Sequence, residues 1–284
     1  MPLTTTAELV TGAPRSEAVC AFNVITLEHV EAVIRGAERM RLPVILQLSE
    51  NAIRFHSGQV APLAEAATAA ARCAAVPVAL HLDHVTDPQL LRRANTAGIS
   101  SVMFDAGAAP YSENLAATRS AAAWAHDNGL WIEAELGYIG GKPDSPVSAH
   151  AAGARTDPLE ASAFVQETGV DALAVAVGSS HAMVTQTAAI DVELVERLAA
   201  AVSVPLVLHG SSGVSDRMLA SAVESGIRKV NVGTALNVAF TAAIRGVLDG
   251  DPAVVDPRKY LDVARNAAAD VVASVLGVVA HRPD

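Results

Sequence analysis

The sequence predicts a (β/α)8 barrel, an α/β fold, and three observations carry that expectation. Eight short apolar, β-branched runs recur along the chain, Ala-rich helical stretches separate them, and glycines mark several passages from helix to strand. Near-continuous apolar runs are the pattern of strands buried on both faces of a parallel sheet. Strict alternation of helix and strand is the order a parallel barrel requires.

Taken in order, the first strand is expected at Val19–Val24, followed by a helix over Leu27–Met40, and the second at Pro43–Leu48, followed by a helix over Leu63–Ala74. Val76–Leu82 is the third strand, with Pro88–Ala97 as its helix. Ile99–Phe104 is the fourth, with Glu113–Asn128. Leu130–Leu136 is the fifth. The long Gly137–Asp157 segment after it holds four glycines and two prolines without a period, and precedes a helix at Pro158–Thr168. Connections of that length inside a domain are usually functional, so a lid is expected there. Ala172–Val177, Pro205–Leu208 and Lys229–Val232 complete the strands, with helices at Val192–Ala201, Asp216–Ser225 and Ala235–Leu248. Gly98, Gly129, Gly169 and Gly226 each precede an apolar run, where glycine ends a helix in a left-handed conformation at little cost. Beyond about residue 250 a turn at Asp256-Pro257-Arg258 leads into a last helix, about Lys259–Leu276. No linker divides the 284 residues, so one barrel domain with a C-terminal helical extension is expected. An open doubly wound sheet would place a glycine-rich turn after its first strand, and Phe22-Asn23-Val24-Ile25-Thr26 has none.

Composition narrows the function. Hydrophobic residues make up 51% and charged residues 18%, which excludes a disordered chain. Thirty acidic against 20 basic residues, with no basic stripe, argue against nucleic acid. No apolar stretch is long enough for a membrane span, and MPLTTTAELV lacks the basic and apolar regions of a signal peptide. Two cysteines, Cys20 and Cys73, fit a reducing compartment, so a cytoplasmic protein is expected.

Barrel enzymes carry their chemistry where strands end. His84, His181 and His209 follow three different strands, and three imidazoles with an open fourth position suit a catalytic zinc. Each histidine alone reads first as an ordinary residue that satisfies a buried polar group or faces solvent; the set argues for a metal. His81 lies two residues before Asp83, on the same side of its strand but one layer deeper, and is expected to be structural. Asp83 is open to a role as metal partner, ligand or acid/base. Alternation would point it away from His84 unless the strand ends between them. His209–Gly213 and Asn231–Thr234 offer small residues whose amides can cradle phosphate after the seventh and eighth strands.

With these residues in place the chain resembles the class II, zinc-dependent ketose-bisphosphate aldolases, which act on fructose 1,6-bisphosphate and tagatose 1,6-bisphosphate. The motifs are His81-Leu82-Asp83-His84, Glu133-Ala134-Glu135-Leu136-Gly137, His209-Gly210-Ser211-Ser212-Gly213 and Lys229-Val230-Asn231-Val232-Gly233-Thr234. The likeness runs from Ala21-Phe22-Asn23 to Asp256-Pro257-Arg258. It implies Zn2+, or another divalent metal, on His84, His181 and His209, with Glu135 holding a second metal position. Asp83 is implied as the acid/base at the C4 oxygen, and Asn231 as a contact of the dihydroxyacetone phosphate half. Gly210, Ser212, Gly233 and Thr234 match phosphate loops, and Asn23 and Ser49 match pocket positions. Arg258 matches an arginine that reaches a neighbouring subunit's site, which implies a homodimer or homotetramer. Carbonyls near His181 and Gly210 match a monovalent-cation site for Na+ or K+.

Three departures separate this chain from the pattern. Gly140-Gly141-Lys142-Pro143-Asp144 has proline where relatives carry a loop glutamate, leaving Asp144 as the lid's candidate. Gln186 stands where a donor-phosphate lysine is expected, with Ala182 in place of a glycine and Lys142 as a substitute cation. Asp105-Ala106-Gly107 replaces the usual Asp-Gly-Ser. The expected activity is retro-aldol cleavage of a ketose 1,6-bisphosphate, fructose first, in carbohydrate metabolism. The alternatives are the tagatose epimer, another ketose 1-phosphate or a deoxy-sugar acid phosphate. A non-catalytic sugar-phosphate-binding subunit and a metal-dependent hydrolase rank below these.

Overall fold

Eight strands, β1 (Val19–Asn23), β2 (Val44–Ser49), β3 (Val78–Val85), β4 (Ser101–Phe104), β5 (Trp131–Leu136), β6 (Ala172–Val175), β7 (Leu206–Leu208) and β8 (Ile227–Val232), form one closed parallel barrel in chain order. The computed structural model describes residues 2–95, 97–137 and 155–281. Closure is made by β1 against β8, with Ala21 opposite Asn231.

Alternation along each strand sorts side chains into two cores. Outward residues such as Val78, Leu80 and Leu82 of β3 pack beneath the surrounding helices. The barrel's lower interior is filled by Val19, Ala21, Ile45, Ala79, Trp131, Ala174 and Val207. A helix not expected from the sequence, α1 (Thr6–Gly12), closes the bottom by adding Leu9 and Val10 to that cluster. A capping box starts it: Thr5 Oγ1 accepts from Glu8 N, and Glu8 accepts from Thr5 N.

Around the barrel run α2 (Leu27–Met40), α3 (Glu50–Phe55), α4 (Ala61–Cys73), α5 (Pro88–Leu91), α6 (Tyr111–Asp127), α7 (Pro158–Thr168), α8 (Val192–Ala201), α9 (Asp216–Glu224), α10 (Thr234–Gly250) and α11 (Pro257–Val279). The C-terminal α11 packs on α2 and α10 through Ala264, Ala268 and Ala269, whose small side chains let the helices approach closely. Gly98, Gly129, Gly169 and Gly226 all have positive φ, as their place before strands requires.

Most elements begin or end within one to three residues of expectation, and three of the differences have a clear physical cause. The helix expected at Pro88–Ala97 stops at Leu91: Arg93 and Ala94 bond three residues back, to Leu90 and Leu91, and Ala97 and Gly98 both take positive φ to reverse the chain. β6 ends at Val175 instead of Val177, because Ala176 N donates to Thr156 Oγ1 and Arg155 donates to the Val177 carbonyl, replacing ladder partners. β3 runs past Leu82 to Val85, with a register shift against β4 between Leu82 and Val85. Among the described residues no helix is long and apolar enough to cross a membrane.

Candidate metal centre and substrate cleft

The register shift in β3 builds the heart of the site. His84 sits there at φ 49, a left-handed conformation that costs an L-residue roughly 1–2 kcal/mol. This bulge turns Asp83 and His84 to the same side, although the strand does not end between them. Asp83 is almost fully buried, with Oδ1 3.5 Å from Asn231 Nδ2 and Oδ2 3.9 Å from His84 Nε2. His81 lies below it, fully buried, with Nδ1 2.7 Å from Ser101 Oγ. Burial, assisted by Lys229, lowers His81 to about 3, so it is neutral.

His84, His181 and His209 converge from the ends of β3, β6 and β7. Their ring centroids are 5.1, 4.9 and 5.7 Å apart, and with Glu135 each offers a ligand atom within 4.8 Å of the others. Two buried carboxylates set the orientation of two of these rings. His84 Nδ1 donates to Asp105 Oδ2 at 2.8 Å, and His209 Nε2 donates to Glu133 Oε1 at 2.8 Å. Those bonds leave His209 Nδ1 as an acceptor 3.2 Å from His84 Nε2, the two nitrogens both turned into the cluster. A proton can lie between them, and a metal cation can take its place on both lone pairs. Outer carboxylates that hold a ligand ring in this way are a regular part of metal sites. Three imidazoles and a carboxylate therefore fit a transition-metal dication. Burial opposes a charge on His84, but Asp83, Asp105 and Glu135 outweigh it and push His84 up to about 9. The same negative surroundings favour a divalent cation.

Beside this cluster a cleft is lined by Asn23, Asp83, Asn231 and the turns after β7 and β8. Gly210 has φ 67, and a Cβ there would lie 2.5 Å from the Ser180 carbonyl oxygen, so only glycine lets the two loops meet. Ser211 Oγ donates to the Asn231 carbonyl, and Ser212 Oγ accepts from Ala235 N, joining the two turns. Ser212, Gly233 and Thr234 face the cleft where α10 begins. Backbone amides at such a helix start favour an anion. The residues lining this cleft include no lysine or arginine among those described.

Other expected residues lie elsewhere. Ser49 caps α3, its Oγ accepting from Ala52 N, and does not line the cleft. Arg258 begins α11, nearly fully exposed and paired with Asp256 of the same turn. Gln186 is exposed in the loop after His181, and Ala182 takes φ 58 in that loop, a conformation suited to the glycine it replaces. Asp144 and Lys142 lie outside the described residues.

Sequence reasoning gave no role to Asp105, Glu133, Gln47 or Lys229. A signal existed for two of them. Glu133 lies two residues before Glu135 and Lys229 two before Asn231, which places each on the same inner face one layer down. Burial would raise Glu133, but Lys229 and His209 hold it well below the usual carboxylate range.

Residues 4–282 match the family model for class II fructose-bisphosphate aldolase. The fructose-bisphosphate aldolase of Staphylococcus aureus is 36% identical over 96% of this chain and 95% of its own length. That of Staphylococcus epidermidis is 37% identical over the same shares. The crystal structure of the YdjI aldolase from Escherichia coli K12 superimposes with a TM-score of 0.81 at 30% identity, covering 97% of this chain and 96% of that one.

Proposed function

The chain belongs to the class II fructose-bisphosphate aldolase family, and on that premise we propose that it cleaves a ketose 1,6-bisphosphate, fructose 1,6-bisphosphate first, to dihydroxyacetone phosphate and an aldehyde. The observation that carries the reading is the convergence of His84, His181, His209 and Glu135 beside the buried carboxylate of Asp83. We assign the divalent cation, zinc in this reading, to the three histidines, with Glu135 as an alternative ligand. When bound, it supplies Lewis acidity for the oxygens on which cleavage leaves negative charge.

Asp83 takes the C4 hydroxyl proton as the C3–C4 bond breaks, so C4 leaves as the aldehyde and the electron pair stays with the dihydroxyacetone half. In condensation it returns that proton. Asn231, whose Nδ2 already points towards Asp83, donates to the charged half, and Asn23 lines the same wall. Gly210, Ser212, Gly233 and Thr234 hold the donor phosphate through amides and hydroxyls. Carbonyls near His181 and Gly210 are the place for a monovalent cation, Na+ or K+. Arg258, exposed on α11, serves the distal phosphate of a neighbouring subunit, which makes the working form a homodimer or homotetramer. The electron pair left at C3 takes up a proton to complete dihydroxyacetone phosphate, a step for which the loop residue Asp144 is the candidate donor. Ser49 keeps its place as the cap of α3 beside the cleft wall.

The absence of lysine and arginine among the described residues lining the cleft favours one second reading: a ketose 1-phosphate other than fructose 1,6-bisphosphate. The test is coupled detection of dihydroxyacetone phosphate with a panel of ketose phosphates, run on metal-loaded and chelator-treated protein. Metal-dependent turnover of the fructose bisphosphate supports the first reading, and turnover of another member alone supports the second. Metal-loaded protein that cleaves none of the panel refutes both.

A further inference from the structure

One buried cation lies between the two halves of the site without touching the cleft. Lys229 of β8 is fully buried in the barrel interior. Its Nζ donates to Glu133 Oε2 at 2.8 Å and to Asn231 Oδ1 at 2.7 Å, and stands 3.5 Å from Gln47 Oε1. Each contact leads to a residue that the proposed chemistry uses. Glu133 accepts from His209 Nε2 through its other oxygen, which leaves His209 Nδ1 for the metal cluster. With its oxygen held by Lys229, Asn231 turns Nδ2 into the site, 3.5 Å from Asp83 Oδ1 and 3.0 Å from His209 Nε2. Gln47 donates through Nε2 to Asn23 Oδ1 at 2.6 Å, and Asn23 lines the cleft.

An ammonium has three donors and no acceptor, so it admits only oxygens around it. An amide placed against it has one permitted orientation. A carboxylate placed against it has one oxygen engaged and the other aimed away. We propose that Lys229 is a positioning residue that fixes Asn231 towards Asp83 and Glu133 towards His209, so that the acid/base side and the metal side of the site share one anchor. The inference rests on the aldolase reading for what Asn231 and Asp83 do, while its effect on the metal side stands apart from activity.

The test compares Lys229→Met, Glu133→Gln and the double variant with wild type, each loaded with cobalt(II). In K229M the carboxylate behind His209 loses its anchor. Cobalt affinity by chelator competition is expected to fall about 10–100-fold, the range for outer residues of metal sites, and the visible bands to shift. The double variant buries no unpaired charge and keeps an amide oxygen for His209, so it folds even where K229M does not. In E133Q one amide oxygen faces two donors, Lys229 Nζ and His209 Nε2–H, and the double variant frees that oxygen for His209. Its cobalt affinity is therefore expected to rise about 10-fold over E133Q, while kcat of the cobalt-loaded protein falls a further ~10–100-fold with little change in KM, because the hold on Asn231 is lost. A Lys229 that is merely structural lowers Tm and moves none of these. Wild-type cobalt affinity in K229M, or equal kcat in E133Q and the double variant, overturns the proposal. If wild type binds cobalt and cleaves no ketose phosphate, the activity reading alone fails. The anchor is then judged on cobalt affinity and bands in K229M, and on the orientation of Asn231 in crystals of E133Q and the double variant.

Discussion

Asp105→Asn is an informative single change at the metal centre, because it keeps shape and alters only hydrogen-bond sense. Oδ2 of Asp105 accepts from His84 Nδ1 at 2.8 Å, and Oδ1 accepts from Gly107 N at 3.1 Å. Both neighbours are donors, so a carboxylate satisfies both. Asparagine has one oxygen, and whichever way its amide turns, an NH2 group confronts an N–H. A hydrogen bond to a charged group contributes roughly 1.5–3 kcal/mol. At about 1.4 kcal/mol per tenfold, that is a metal affinity weakened about 10–100-fold. The assay is competition between the protein and a chromophoric chelator for zinc or cobalt(II), with thermal unfolding of the metal-free protein as control for folding. A variant that binds metal within about twofold of wild type would show that Asp105 does not orient His84, and the reasoning about the His84–His209 pair would fail with it.

Asp83→Ala is expected to retain stoichiometric metal and to lose about 10²–10⁴-fold in kcat, the usual contribution of an acid/base group, checked by metal analysis beside initial rates. His81 is neutral in the folded chain to about pH 3, whereas its ordinary value is 6.5. Unfolding therefore takes up a proton between those values, and stability falls as pH drops through that window by up to about 1.4 kcal/mol per unit. Urea unfolding at stepped pH should show a shallower acid slope in His81→Gln. Gly210→Ala would place a methyl 2.5 Å from the Ser180 carbonyl at φ 67, so a loss of more than about 2 kcal/mol in stability is expected by denaturant unfolding. Ala182→Gly relieves a residue held at φ 58 and should raise stability by about 0.5–1 kcal/mol, visible as a Tm rise of about 1–2 degrees.

Much of the barrel was legible because its signals are local. Leu27–Met40, Pro158–Thr168 and Val192–Ala201 begin and end at the expected residues; Asp157 and Gly169 mark both ends of the second, and Asp191 caps the start of the third. The exceptions had tertiary causes. α1 is amphipathic over only two turns, and its partners, Ile45 and Trp131, lie far along the chain. β6 is cut short by Thr156 and Arg155, which no propensity reveals. In the site, the three histidines were found because they stand at strand ends beside small residues. Asp105 and Lys229 were missed because their meaning depends on what lies across the barrel. The relation of Asp83 to His84 is not decided by local sequence for a similar reason: a bulge is an event between two strands, and β3 alone does not contain it.

That bulge also limits what can be transplanted. An engineer who copies aspartate and histidine onto neighbouring positions of a regular strand will send one of them into the helical shell. The portable unit is the kinked stretch from Leu82 to Val85 with the β4 edge that permits its slip, and a grafted centre that omits the edge will hold one side chain of the pair at most.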